Sequence, residues 1–128
     1  MSKQIQMING VLTGVDNVSD IASFYPGTPT ASAIVMKIKP ARTLVLPINL
    51  TLSVADAEVA ATGSTVFSIK KNGSSIGSIT FGVGASAGTF TFSSEETLIG
   101  GTDKLTIVAP VSPDLTLADI SITLAATR

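Results

Sequence analysis

Alternation with a period of two residues is the feature that most constrains this chain. In its closing run, residues 117–125, Ile120, Ile122 and Leu124 share one parity and Asp119, Ser121 and Thr123 the other. Successive side chains of a strand point to opposite faces, so this run makes a strand with one buried face and gives a helix no continuous apolar stripe. Residues 31–39 repeat the pattern, with Ile34, Met36 and Ile38 inward against Val35, Lys37 and Lys39, and Pro40 ends the run. Residues 43–50 follow with Leu44, Leu46, Ile48 and Leu50; Pro47 sits on the opposite parity without a backbone donor, which argues for an edge or a bulge. Phe67 and Ile69, Phe90 and Phe92, and Leu105 and Ile107 mark three further strands.

Turn chemistry separates these runs. Asn72-Gly73 is the pair that tolerates positive φ at both centres of a type I′ turn, so 65–71 and 74–81 form a hairpin. A plain two-residue turn would pair Ile69 with Ile76 and leave Ile79 and Phe81 on the wrong parity; a bulge at Gly77 reconciles them. Pro26, Gly27 and Pro29 make a shaped loop after Phe24. Residues 51–64 fit a loop, a short helical turn or a small-residue strand. The sum is about eight strands with long connections, which predicts an all-β fold: an antiparallel two-sheet β-sandwich, jelly-roll-like. Its core is expected to hold the inward residues Ile34, Met36, Ile38, Leu44, Leu46, Phe67, Ile69, Ile79, Phe81, Phe90, Phe92, Leu105, Ile107, Ile120, Ile122 and Leu124. The chain of 128 residues suits one domain over 21–128, preceded by an N-terminal arm or edge strand over 1–20.

Composition narrows the chemistry. The chain has no Cys and no His, which removes disulfides, thiolate metal sites and the usual general base; no cofactor, no metal and no catalytic residue are expected. Eight basic and nine acidic residues give a net charge of -1 and supply no field to gather phosphates, so nucleic acid is not an expected partner. Polarity comes from hydroxyls, 31 of the residues being Ser or Thr. No apolar run approaches the roughly 20 residues that span a bilayer, and the N-terminus lacks an unbroken apolar leader, so no membrane partner is expected and synthesis in a cytoplasm is. The sequons at Asn17, Asn49 and Asn72 then have no route to glycosylation.

Several motifs match catalytic patterns by letter alone. Gly73 to Gly77 spells G-x-S-x-G around Ser75, but a hydrolase elbow needs a helix after the turn and a base for the serine. Ser68 and Lys71 spell S-x-x-K, which brings the two groups together only on a helix. Gly82, Gly84 and Gly88 miss the dinucleotide spacing and read as a turn. The acidic pairs Asp16 and Asp20, Asp56 and Glu58, and Glu95 and Glu96 do not follow a calcium-loop order and read as solvated charge. Lys37, Lys39 and Arg42 gather near one corner, an arrangement that suits an acidic partner surface, although the reading preferred is that they keep an edge strand from pairing indiscriminately.

Three segments in order carry a resemblance: Phe24 to Pro29 (F-Y-P-G-x-P), Lys71 to Phe81 (K-N-G-x-x-I-G-x-I-x-F) and Ile107 to Ile120 (I-V-A-P-x-x-P-D-x-T-L-A-D-I). Over residues 22–128 the chain resembles a small β-sandwich structural module recurrent in virion proteins of tailed bacteriophages, found in tail-associated proteins and in small stand-alone proteins. The resemblance implies a virion component made in the host bacterial cytoplasm and no enzyme. Two roles follow from it. One is a capsid decoration (cement) protein bound to the outer capsid surface, its partner the major capsid protein. The other is a receptor- or glycan-binding module of a tail or fibre. A single short domain favours the first; the lack of Trp and the single Tyr, Tyr25, leave little to stack on sugar rings.

A mean hydropathy of +0.50 on so small a domain predicts exposed apolar area and hence self-association as a dimer or trimer. The residues expected to meet a partner are Ile5, Met7, Ile8, Val11 and Leu12 of the arm, with Phe24, Tyr25 and Pro26 of the shaped loop.

Overall fold

The computed structural model describes residues 18–128 in full and, before Val18, the backbone of two short strands, β1 (Gln6–Ile8) and β2 (Val11–Thr13), paired antiparallel. From Val18 onward ten strands form two antiparallel sheets of five, the two-sheet sandwich expected from the alternation. The first is built on β12 (Ala118–Thr127). On one side of it lies β3 (Val18–Tyr25), in register from Tyr25 opposite Ile120 to Val18 opposite Thr127. Its other side is shared by β6 (Val54–Val59) and, beyond it, β5 (Leu44–Leu46), which carries β10 (Glu96–Leu98). The second sheet runs in the order β4 (Ile34–Ile38), β11 (Leu105–Val108), β7 (Thr65–Lys71), β8 (Ser74–Phe81) and β9 (Thr89–Thr91).

Ten strands exceed the expected count of about eight because three of them carry little apolar alternation. The Ala-rich stretch is a strand, β6, whose Ala55 and Ala57 are buried while Asp56 and Glu58 point out. The chain 82–88 runs along its free edge, Gly88 N donating to Ala55 O and Ala57 N to Ser86 O, which leaves room for methyl groups only. β10 emerges from the polar stretch 93–102, and only Leu98 of it is buried. β3 takes its first residues from the segment read as arm or edge strand and its last, Phe24 and Tyr25, from the loop; it is the edge of its sheet.

The core between the sheets holds thirteen of the sixteen expected residues, from Met36 through Leu124, with Phe67 and Phe81 in edge-to-face contact at 5.7 Å and 76°. Three expectations fail. Ile34 is 53% exposed, because a bulge skips Val35: Met36 pairs with Ile107 and Ile34 with Val108, so Val35 and Met36 are both buried in succession. Ile38 and Phe90, both on strands at the sheet edges, are half-buried and pack on the core from outside. Pro47 marks neither an edge nor a bulge; it ends β5, after which Ile48–Leu50 form one 3-10 turn and bury Leu50 alone. Of the parity shared by Leu44, Leu46, Ile48 and Leu50, Ile48 is exposed and Leu50 is buried, while Leu98 and Leu117 are core residues that alternation did not identify.

The hairpin turn is as the Asn-Gly pair requires, with φ of 52° at Asn72 and 88° at Gly73. Lys71 faces Ser74, and the register shifts so that Ile69 meets Gly77 and Phe67 meets Ile79, with Ile76 as the extra residue. The bulge expected at Gly77 therefore lies beside it. A Cβ on Gly77 would stand 2.6 Å from Phe92 Cδ1 and 2.7 Å from Thr91 O, so glycine there lets β9 close on β8.

Candidate interaction surface

Pairing registers bring four connections to one end of the sandwich: 26–33 between β3 and β4, 60–64 between β6 and β7, 82–88 between β8 and β9, and 109–117 between β11 and β12. They come from distant parts of the sequence and are bonded into one platform. Ser32 N donates to Pro110 O at 3.0 Å, joining the first loop to the last. Gly27 N donates to the Asp119 carboxylate at 2.7 Å, and Asp119 N returns a bond to Gly27 O at 3.1 Å. Gly84 N donates to Ala61 O at 2.7 Å, joining the second loop to the third.

Asp114 ties the second loop to the fourth. Its Oδ2 accepts from Thr62 Oγ1 at 2.8 Å and Gly63 N at 2.7 Å, and its Oδ1 from Thr116 N and Leu117 N at 2.9 Å each and from the Thr116 hydroxyl. The Thr116 hydroxyl foremost, with Thr116 N, Thr62 Oγ1 and Gly63 N, holds this carboxyl far below the usual carboxylate range, outweighing the opposing effect of desolvation. Asp114 is the only charged residue in the four loops, and its charge is satisfied from within. What the platform presents outward is uncharged, three aliphatic side chains standing among exposed Ser and Thr: Val83 is 76%, Val111 78% and Leu115 87% exposed. Residues 28–31 and 111–115 border a shallow groove on it, lined by Pro29, Ala31, Val111 and Leu115 among hydroxyls and without an aromatic ring.

Of the residues expected to meet a partner, Phe24 and Pro26 are exposed at this end, Phe24 at 59%, on the last turn of edge strand β3 and at the start of the first loop. Tyr25 is half-buried and packs on the core. Ile5 lies outside the described residues. Of Met7, Ile8, Val11 and Leu12 only the backbone is described, with Met7 opposite Leu12 and Ile8 opposite Val11. Val83, Val111 and Leu115 escaped the sequence reading, although Val83 and Val111 are lone aliphatics between Gly, Pro and Ser and Leu115 stands between Asp114 and Thr116.

The opposite end carries further bonded charges. Asn72 Nδ2 donates to Asp103 Oδ1 at 2.9 Å, Lys104 N donates to Asn72 Oδ1 at 2.9 Å, and Ile99 N donates to Asp103 Oδ2 at 2.8 Å. The Ile99 amide first, then Asn72, lowers the Asp103 carboxyl below its ordinary value. Lys71 Nζ stands 3.6 Å from Glu96 Oε1 and 4.0 Å from Asp103 Oδ2. Ser75 of the G-x-S-x-G match is exposed on β8 opposite Lys70, and the chain continues as strand; Ser68 and Lys71 have opposite parity on β7. Among the described residues no three His, Cys, Asp or Glu side chains gather as a metal site, and no helix is long and apolar enough to cross a membrane. Comparison with protein families, with curated proteins and with solved structures finds no match to this chain.

Proposed function

We propose that this chain is a non-enzymatic structural protein of a phage virion, a capsid decoration (cement) protein that binds the outer surface of the shell and stabilises it. The observation that carries the reading is the platform: four loops already bonded to one another, presenting Val83, Val111 and Leu115 and no unsatisfied charge. A surface of uncharged side chains on loops already hydrogen-bonded to one another loses little conformational entropy on docking and has no unpaired ion to desolvate, which suits a contact repeated many times on a lattice. The ordered segments from Phe24 to Pro29, Lys71 to Phe81 and Ile107 to Ile120 support the virion setting by resemblance. The partners proposed are the major capsid protein and further copies of the chain.

The alternative, a glycan-binding module of a tail or fibre, has less in its favour, since the groove at 28–31 and 111–115 offers no ring to stack on a sugar. Copy number separates the two. A denaturing gel of purified virions should show this chain in amounts comparable to the major capsid protein; a few copies per particle, confined to detached tails, would replace the decoration reading with the alternative.

A further inference from the structure

Net charge hides a separation of sign between the two outer faces. On the sheet built around β7 the outward residues of one row are Lys37, Thr106 and Lys70, paired across β4, β11 and β7. Lys39 and Lys104, exposed, continue the same parity just beyond Ile38 and Leu105. With strands about 4.8 Å apart and residues about 3.4 Å apart along them, these four lysines root within a patch roughly 10 Å across. No Asp or Glu lies on the outward parity of β4, β11, β7, β8 or β9, and among the described residues none of the four lysines has a carboxylate within 4.0 Å. The other sheet shows the reverse. Asp56 and Glu58 on β6 are exposed on its outer face, and no Lys or Arg lies on the outward parity of β3, β6 or β12.

We infer that these faces bind each other between copies: the lysine face around Lys37 and Lys70 of one chain meets the carboxylate face around Asp56 and Glu58 of the next. Like faces repel, so a two-fold dimer through either one is opposed, and the contact is heterologous. Because the two faces are on opposite sides of one sandwich, it does not close at two copies but continues from chain to chain. The groove at 28–31 and 111–115 lies at the end of the sandwich, whereas 82–88 runs on along the edge of β6, so copies docked by the groove stand side by side with unlike faces adjacent. The inference goes beyond the shell reading and does not need it, since the complementarity is within the chain.

Sedimentation of the full chain tests it without any shell. The Debye length is about 30 Å at 10 mM salt and about 3 Å at 1 M, so association should extend past the dimer at the lower and revert to monomer at the higher. The monomer mass is 13.0 kDa. The variant Lys37→Glu, Lys70→Glu, Lys104→Glu and the variant Asp56→Lys, Glu58→Lys should each stay monomeric at low salt, with melting temperatures near wild type because all five sites are surface positions. The chain carrying all five substitutions should associate again, since its faces are complementary with signs exchanged. A wild type that remains monomeric at low salt, an association indifferent to salt, or a five-fold variant that stays monomeric would each overturn the inference. So would a monomer whose lysine face instead retains it on a polyanion column, a result that would assign that face to a polyanionic partner.

Discussion

The Asp114 carboxylate accepts the Gly63 amide at 2.7 Å across a separation of 51 residues, and with it the connection between β6 and β7 is fixed to the one between β11 and β12. Neither loop contains a repeating pattern that would hold it. The joint between these two loops therefore rests largely on one ionised carboxylate, with Thr62 N donating to Thr116 Oγ1 at 3.2 Å and Asp114 N to Thr65 Oγ1 at 3.1 Å beside it.

That dependence has a pH signature. The folded-state pKa of Asp114 lies far below its ordinary value, so its contribution is complete above the unfolded pKa of about 3.9 and is lost as pH falls below it toward the folded value. The melting temperature of wild type should fall progressively as the solution is acidified below that point. Asp114→Asn, with one acceptor oxygen and an added donor facing five donors, should melt lower at neutral pH and show a shallower acid limb. A variant with the wild-type acid limb would locate the pH dependence elsewhere, Asp103 being the next candidate by the same sign.

Phe67 is buried against Phe81, and Phe67→Ala should cost roughly 3–5 kcal/mol by the cavity it leaves. Met36→Ala should cost about 2–5 kcal/mol, whereas Ile34→Ala, exposed by the bulge at Val35, should stay within about 0.5 kcal/mol. Urea unfolding of the Met36 and Ile34 variants checks the parity of β4 directly.

Gly77→Ala should lose about 1–3 kcal/mol, since the new methyl meets Phe92 and the Thr91 carbonyl inside van der Waals contact. Gly63→Ala, where the nearest atom is Asp114 Oδ2 at 3.4 Å, should cost less. Equal losses by urea unfolding would mean that β9 does not close on β8 at the bulge.

What the sequence disclosed follows from what alternation can encode. It identified β7, β8, β11 and β12 because each buries one parity of large apolar residues, and Asn72-Gly73 fixed the turn between two of them. It misjudged Ile34 because the bulge at Val35 is a property of the pairing with Val108, not of the strand's own residues. β6 was ambiguous because Ala55 and Ala57 are buried by the 82–88 chain, and small side chains leave little periodic signal. Of the interaction surface, Phe24 and Pro26 were legible as exposed positions, but Val83, Val111 and Leu115 come to one end of the sandwich only through the pairing of the strands that flank their loops. The separation of charge was equally hidden, because it depends on which strands share a sheet.

The central proposal is that the platform docks on the capsid shell, and co-sedimentation of Val111→Asp, Leu115→Asp double-variant protein with empty shells tests it most directly. Both side chains are exposed, so the variant should keep the wild-type melting temperature. Two carboxylates placed on the contact must be desolvated without partners, and shell occupancy should fall at least tenfold, equivalent to about 1.4 kcal/mol. Undiminished occupancy by a variant that melts like wild type would contradict docking through this surface.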